Sequence, residues 1–272
     1  MPVRENLIFD IGMHIGNDSE FYLAKGFDVV AVEADPRFCA EVSSRLSSYV
    51  RQGRLTIVNA AISDRAGMIE FFTYASHDDW GTASRSMVVR NDGRNVPHQT
   101  ISVNTVTMGE LIGRYGCPYY LKIDIEGMDH VCLAQTRDAK ASPRYVSFEM
   151  DHSSVEAAEI GFSLLREMGY RRFKIINQAR NGLLECPNPP REGRYILRRF
   201  DTLSSGLFGE ETPGTWLNSD EVQTQVRHIV ALKKWLDSDG LLATNLPNWA
   251  WNIVKSHSRG WPSAWYDVHA TM

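Results

Sequence analysis

A doubly wound α/β fold, with a mostly parallel sheet and a C-terminal helical and loop extension, is what this 272-residue chain predicts. Three observations predict it. Short apolar runs of strand length recur along the first two thirds of the chain, as strands buried on both faces do. Helix-like segments separate them, which implies right-handed βαβ crossovers. A glycine turn carrying Gly12 and Gly16 joins the first run to the first helix. Such a turn lets a ligand approach the backbone closely, and the helix start behind it offers unpaired N–H groups.

The elements follow in order. Residues 7–11 (LIFDI) form a strand, and 17–25 a helix stopped by Gly26. Residues 27–32 (FDVVAV) are a buried strand. Asp35 and Pro36 suit the N-cap and first turn of a helix reaching about residue 50. Residues 55–61 (LTIVNAA) read as a third buried strand. Residues 68–74 alternate and are expected to pair with a later strand. The polar stretch 75–95 is too long for a simple connection and reads as a functional loop. A strand at 99–106 and a helix at 107–115 follow. Residues 119–125 (YYLKIDI) are a fourth buried strand, 128–136 a helix, 144–149 a fifth strand. Ser153 or Ser154 caps a helix that Gly169 stops, and 171–177 form a sixth strand. Residues 195–200 read as one more strand and 219–236 as a helix. The expected division is a domain over 1–200 and an extension over 201–272. The extension holds six of the seven tryptophans, Trp216, Trp235, Trp249, Trp251, Trp261 and Trp265, so it is expected to pack on the sheet domain, over its ligand face.

Composition narrows the function. Lys and Arg number 29 against 33 Asp and Glu, a net charge of −4, so charge gives no argument for nucleic acid or an anionic membrane as partner. Hydrophobic residues at 43% and charged residues at 23% suit a soluble globular chain. No apolar run approaches the ~20 residues of a membrane helix, and the N-terminus lacks a signal-peptide pattern. Cys39, Cys117, Cys132 and Cys186 are scattered, as reduced thiols of a cytoplasmic protein are.

In an open parallel sheet, ligands bind beyond the C-terminal ends of the strands. Those ends carry Asp10, Gly12 and Gly16, then Glu33, then Ala61 and Ile62, then Asp124 to Glu126, then Glu149. Glu33 follows the glycine turn by about 20 residues, where an acidic side chain accepts hydrogen bonds from ribose hydroxyls. The bland alternative is a carboxylate that only closes a turn. Glycine turns of this kind serve NAD, FAD and S-adenosylmethionine alike.

The ordered segments FDIGMHIGNDSEFYLAKGF, VVAVEADP, IVNAAISDRAG, YYLKIDIEGMD and YVSFE resemble the FkbM-type family of S-adenosylmethionine-dependent methyltransferases over residues 7–177. The resemblance implies a Rossmann-like class I methyltransferase fold and S-adenosyl-L-methionine as cofactor. It implies a cofactor set of Asp10, Gly12, His14, Gly16, Asn17, Glu33, Ala34, Ala61 and Ile62. Of these, Asp10, Gly12 and Gly16 would line the methionine and ribose, Glu33 would hold the ribose diol, and Ala61 and Ile62 would flank the adenine. Asp124 would lie near the transferred methyl. His14 departs from the asparagine more usual in that turn.

Transfer to a hydroxyl needs alignment, exclusion of water and a base. Asp124 is the first candidate, with Glu149 and His152 next. The alternatives are that Glu149 is a structural acceptor and His152 a helix cap. The same three present carboxylate and imidazole donors that suit a divalent metal, but no metal-spacing motif accompanies them and no metal is assigned. His77, His98 and His269 read as surface or packing residues. Residues 188–191 (NPPR) imitate an amine-methylating motif, but they follow the sixth strand rather than the fourth and lack its aromatic residue. The resemblance suggests O-methylation of a small-molecule or glycan-like acceptor, and no nucleic acid or membrane partner is expected. The competing classes are a NAD-type oxidoreductase, disfavoured by the DxGxxxG spacing, and a non-catalytic cofactor-binding module.

Overall fold

In the computed structural model, which describes residues 1–75, 80–92, 96–201, 203–236, 240–257 and 265–272, the chain opens with β1 (Val3–Ile11) and α1 (Asn17–Lys25). There follow β2 (Asp28–Glu33), α2 (Pro36–Arg45), α3 (Ser47–Arg51), β3 (Leu55–Asn59), β4 (Ala61–Ile62), β5 (Gly67–Tyr74), α4 (Arg85–Asp92), β6 (His98–Val106), α5 (Met108–Tyr115), β7 (Cys117–Ile123), α6 (Asp129–Asp138), β8 (Tyr145–Glu149), α7 (Val155–Glu167) and β9 (Arg172–Asn177). The rest holds α8 (Ser219–Leu236), α9 (Leu241–Asn245), α10 (Asn248–His257) and β10 (Tyr266–Thr271). His77 and Trp261 lie outside the described residues.

Seven strands form one sheet in the order β3-β2-β1-β7-β8-β10-β9, parallel except for β10. The order reverses between β1 and β7, which opens a crevice at the C-terminal ends of the strands. A small sheet, β4-β6-β5, stands beside it. Local chemistry explains the helix starts. Asp35 accepts the Arg37 N–H at the head of α2, Thr107 and Glu110 form a capping box on α5, and Ser154 caps α7.

Both sheet faces are covered. One packs Leu111, Leu133, Phe162 and Val226 from α5, α6, α7 and α8. The other packs Phe21, Tyr22 and Val42 from α1 and α2 together with Phe200, Leu207 and Phe208. Phe208 stacks on Tyr120 of β7 with ring centroids 4.9 Å apart. A buried ion pair, Lys25 to Glu211 at 2.8 Å, fastens this segment to α1. Among the described residues, no helix is long and apolar enough to cross a membrane.

Four expectations need correction. The third strand is not buried on both faces: β3 is the sheet edge, and residues 61–62 leave it to pair with β6. The polar stretch after residue 75 contains α4. Residues 195–200 form no strand; this part of the chain is held to α1, with Arg194 N–H donating to the Lys25 carbonyl and Arg198 to that of Asn17. β10 was not foreseen, although YDVHAT alternates apolar and polar residues as a strand does. The packing of the later segment is carried by Phe200, Leu207, Phe208 and one face of α8, while Trp249 is 69% exposed.

Candidate active site

Gly12 ends the first strand with φ +85°, and its N–H donates to the Val32 carbonyl. A Cβ there would lie 1.8 Å from the Asp124 carbonyl oxygen. Only glycine lets the ends of β1, β2 and β7 converge. His14 also takes a left-handed conformation, φ +50°. Asn, Asp and His are the side chains enriched in that region, so a histidine meets this backbone demand. Its N–H donates to Glu33 Oε2 at 2.8 Å, and its ring meets Phe38 edge to face.

The Asp35 N–H donates to Glu33 Oε1 at 2.8 Å. Two backbone donors thus fix the Glu33 carboxylate at the end of β2, where it lines a cavity of about 490 Å³. Burial pushes its pKa up, against those two N–H groups. Gly12, His14, Asn17, Glu33, Ala34, Ala61, Ile62, Asp124, Glu149 and His152 all line that cavity. Asp10 and Gly16 are not among the residues that line it. Asp10 is buried, accepting the Ser19 hydroxyl at 2.6 Å. Gly16 supplies the left-handed N-cap of α1, packed against Val42. Ser154, not His152, caps α7; His152 Nδ1 contacts the Met150 carbonyl at 3.3 Å.

Lys122 escaped the sequence reading. Its buried ammonium donates to the Gly12 carbonyl at 2.9 Å and lies 3.2 Å from Asp10 Oδ1, 3.5 Å from Asp124 Oδ2 and 3.7 Å from Asp18 Oδ2. Burial opposes the charge, but Asp10, Asp124 and Asp18 outweigh it and hold the pKa well above the usual lysine value. The signal was present: a lysine inside the apolar run YYLKI must be paired if that run is buried. Asp18 was also missed. Burial pushes its carboxyl up to about 6 against the pull of Lys122, and it accepts the Ser205 N–H at 3.0 Å. Leu203, Ser204, Lys233, Trp265 and Asp267 add a wall from the end of the chain.

Asp124, Glu126 and Glu149 each bring one carboxylate oxygen within 4.8 Å of the others, a grouping from which His152 is absent. The cavity therefore has two chemically distinct parts. Glu33, Ala34, Ala61 and Ile62 form one; a cluster of carboxylates with His152 forms the other.

A family model described as Methyltransferase FkbM domain matches residues 10–172. No curated protein matches the chain. Solved structures similar to it include precorrin-6y C5,15-methyltransferase from Geobacter metallireducens GS-15, at 13% identity and TM-score 0.34, covering 65% of this chain and 69% of that one. Phosphoethanolamine N-methyltransferase 2 from Haemonchus contortus, in complex with S-adenosyl-L-methionine, gives 10% identity and TM-score 0.36, covering 100% of this chain and 49% of that one. A SAM-dependent methyltransferase from Geobacter sulfurreducens, in complex with S-adenosyl-L-homocysteine, gives 10% and 0.34, covering 100% and 86%.

Proposed function

This chain belongs to the FkbM methyltransferase family, and on that premise we propose that it moves a methyl group from S-adenosylmethionine to a hydroxyl of a small or sugar-like acceptor. The observation that carries the reading is Glu33. Its carboxylate is fixed by two backbone N–H groups and still lines the cavity, as an acceptor for a ribose diol should. Gly12, His14 and Asn17 line the same cavity beside Glu33, which supports a ligand lying along the turn. S-adenosylmethionine supplies, when bound, a sulfonium methyl already activated for in-line attack. The chain has then to bind, align, exclude water and take a proton.

Glu33 accepts the ribose hydroxyls, Gly12, His14 and Asn17 follow the turn, and Ala34, Ala61 and Ile62 bound the adenine. Asp10 acts from below through Lys122, whose ammonium also sets the position of the Asp124 carboxylate. The proton of the attacking hydroxyl goes to the carboxylate and imidazole end, where Asp124, Glu149 and His152 are the bases in reach. Leu203, Ser204, Ser205 and Trp265 support the reading of residues 201–272 as an extension that closes the acceptor side of a domain spanning 1–200. The four cysteines are unpaired thiols, which supports a reducing compartment such as the cytoplasm.

Calorimetry with S-adenosylhomocysteine tests this. Saturable binding is expected, weakened about 10- to 100-fold by Glu33→Ala, the loss of charge-assisted hydrogen bonds worth about 1.5–3 kcal/mol. Glu33→Gln, which keeps an acceptor for the turn, guards against a folding defect. Preference for NADH over S-adenosylhomocysteine would overturn the proposal.

A further inference from the structure

Asp267 and Gln178 are buried polar side chains on the cavity wall, and each lacks a partner that burial normally demands. β10 runs antiparallel to its neighbours, so its first residues stand at the rim where β8 and β9 end. Asp267 lies opposite Glu149 in β8 and Ile176 in β9, and its side chain leaves the same face of the sheet as theirs. Trp265, two positions earlier, shares that face, and its carbonyl accepts the Gln178 backbone N–H at 3.1 Å. Glu149, Gln178, Trp265 and Asp267 all line the cavity. Asp267 is 8% exposed and Gln178 2%. Among the described residues the Asp267 carboxyl has no hydrogen-bond or ion-pair partner. The Gln178 side-chain oxygen accepts from the Asn181 amide, while its amide nitrogen has no partner.

A carboxyl and an amide donor that both want a partner match a hydroxyl, which donates one hydrogen bond and accepts others. A cation would leave the Gln178 donor unanswered. Burial first, then the charges of Asp124 and Glu149, holds the Asp267 carboxyl well above the usual carboxylate range. That favours the protonated acid, which is a donor as well as an acceptor. The same two neighbours place Asp267 beside the groups that would take the proton of the attacking hydroxyl. A hydroxyl held at Asp267 is therefore the neighbour of the reacting one. Trp265 gives this end of the cavity an apolar wall.

We propose that Asp267 and Gln178 form the acceptor-recognition subsite, holding a second hydroxyl beside the one that is methylated, so that the acceptor is an uncharged molecule with two adjacent hydroxyls. The assignment rests on the methyl-transfer reading and adds to it the residues that select the acceptor. A site built to hydrogen-bond a hydroxyl rejects the analogue lacking it, because its own buried polar groups are then left unpaired. Asp267 and Gln178 thus set specificity, while the proton goes to the groups around Asp124.

The test uses full-length protein saturated with S-adenosylhomocysteine. Saturation-transfer NMR and calorimetry read the binding of three probes: cyclohexanol, the cis vicinal cyclohexanediol and the matching cis amino alcohol. The diol is expected to bind about tenfold more tightly than cyclohexanol, the effect of satisfying buried hydrogen-bonding groups. Asp267→Ala should erase that preference while S-adenosylhomocysteine affinity and the melting temperature are kept. Asp267→Asn, which presents a donor and an acceptor as the neutral acid does, should restore most of it. Gln178→Ala should also weaken the diol and spare cyclohexanol; if that variant fails to fold, the Asp267 pair decides. No preference for the diol, or a preference that survives Asp267→Ala, overturns the subsite. Tighter binding of the amino alcohol, with Asp267→Asn as damaging as Asp267→Ala, overturns it in favour of a carboxylate paired with an ammonium group. Wild-type protein that binds no S-adenosylhomocysteine would sink the proposed function and the subsite with it. With that binding intact, a negative diol result removes the subsite alone.

Discussion

His14 and Glu33 act as a pair through the backbone, since the left-handed turn at His14 aims its N–H at the Glu33 carboxylate. The histidine ring meets Phe38 edge to face at the cavity wall. His269 behaves differently. It is buried in β10, opposite Ser147 and Lys174 in the two flanking strands. Burial first, then the Lys174 charge, pushes its pKa down to about 3. The unfolded chain takes up this proton near pH 6.5 and the folded one only near 3, so stability falls as pH falls through that window. His269→Leu removes the step. Urea midpoints at pH 7, 5.5 and 4 should favour the variant increasingly, by up to about tenfold in the unfolding constant per pH unit. A gap between variant and wild type that stays constant with pH would dismiss the assignment.

At the scale of elements, the face of the sheet next to α1 is closed by an irregular segment. Phe208 fills the space over Tyr120 and also meets Tyr22 and Phe27 edge to face. Glu211 fixes the segment by pairing with Lys25 and accepting the Arg191 and Glu192 N–H groups. Phe208→Ala should cost about 3–5 kcal/mol, the range for a fully buried phenylalanine, in urea unfolding. A loss below about 1 kcal/mol would mean the segment is an ornament on a self-sufficient sheet. The same segment reaches the cavity through Ser205, whose N–H donates to Asp18, so packing and site share one element.

For the whole molecule, the end of the chain is part of the sheet. β10 is hydrogen-bonded to β8 on one side and β9 on the other. Removing residues 265–272 would cut the edge strand β9 off from the sheet, leave one edge of β8 unpaired and remove the buried packing of Val268 and Ala270. Such a truncation should lose its cooperative melting transition by circular dichroism, whereas wild type retains it. A truncated chain that melts cooperatively near the wild-type temperature would show that β9 pairs directly with β8.

Much of this molecule was legible in its residues because the signals are local. Apolar runs flanked by Gly, Pro and capping residues mark β1, β2, β7 and β8 and their helices, and Glu33 follows the Gly12 turn at a fixed distance along the chain. The gathering of Glu33, Ala61, Asp124, Glu149 and His152 around one cavity follows from parallel strands, whose C-terminal ends share a rim. Tertiary structure alone decided the rest. Lys122 is explained by three carboxylates from two other elements and its own strand end. Asp267 and His269 are the polar positions of an alternating strand, and only its place between β8 and β9 buries both faces of β10. The reason is physical: pairing with distant strands and burial against them override local pattern, and no residue's immediate neighbours in sequence record which charges the fold will bring beside it.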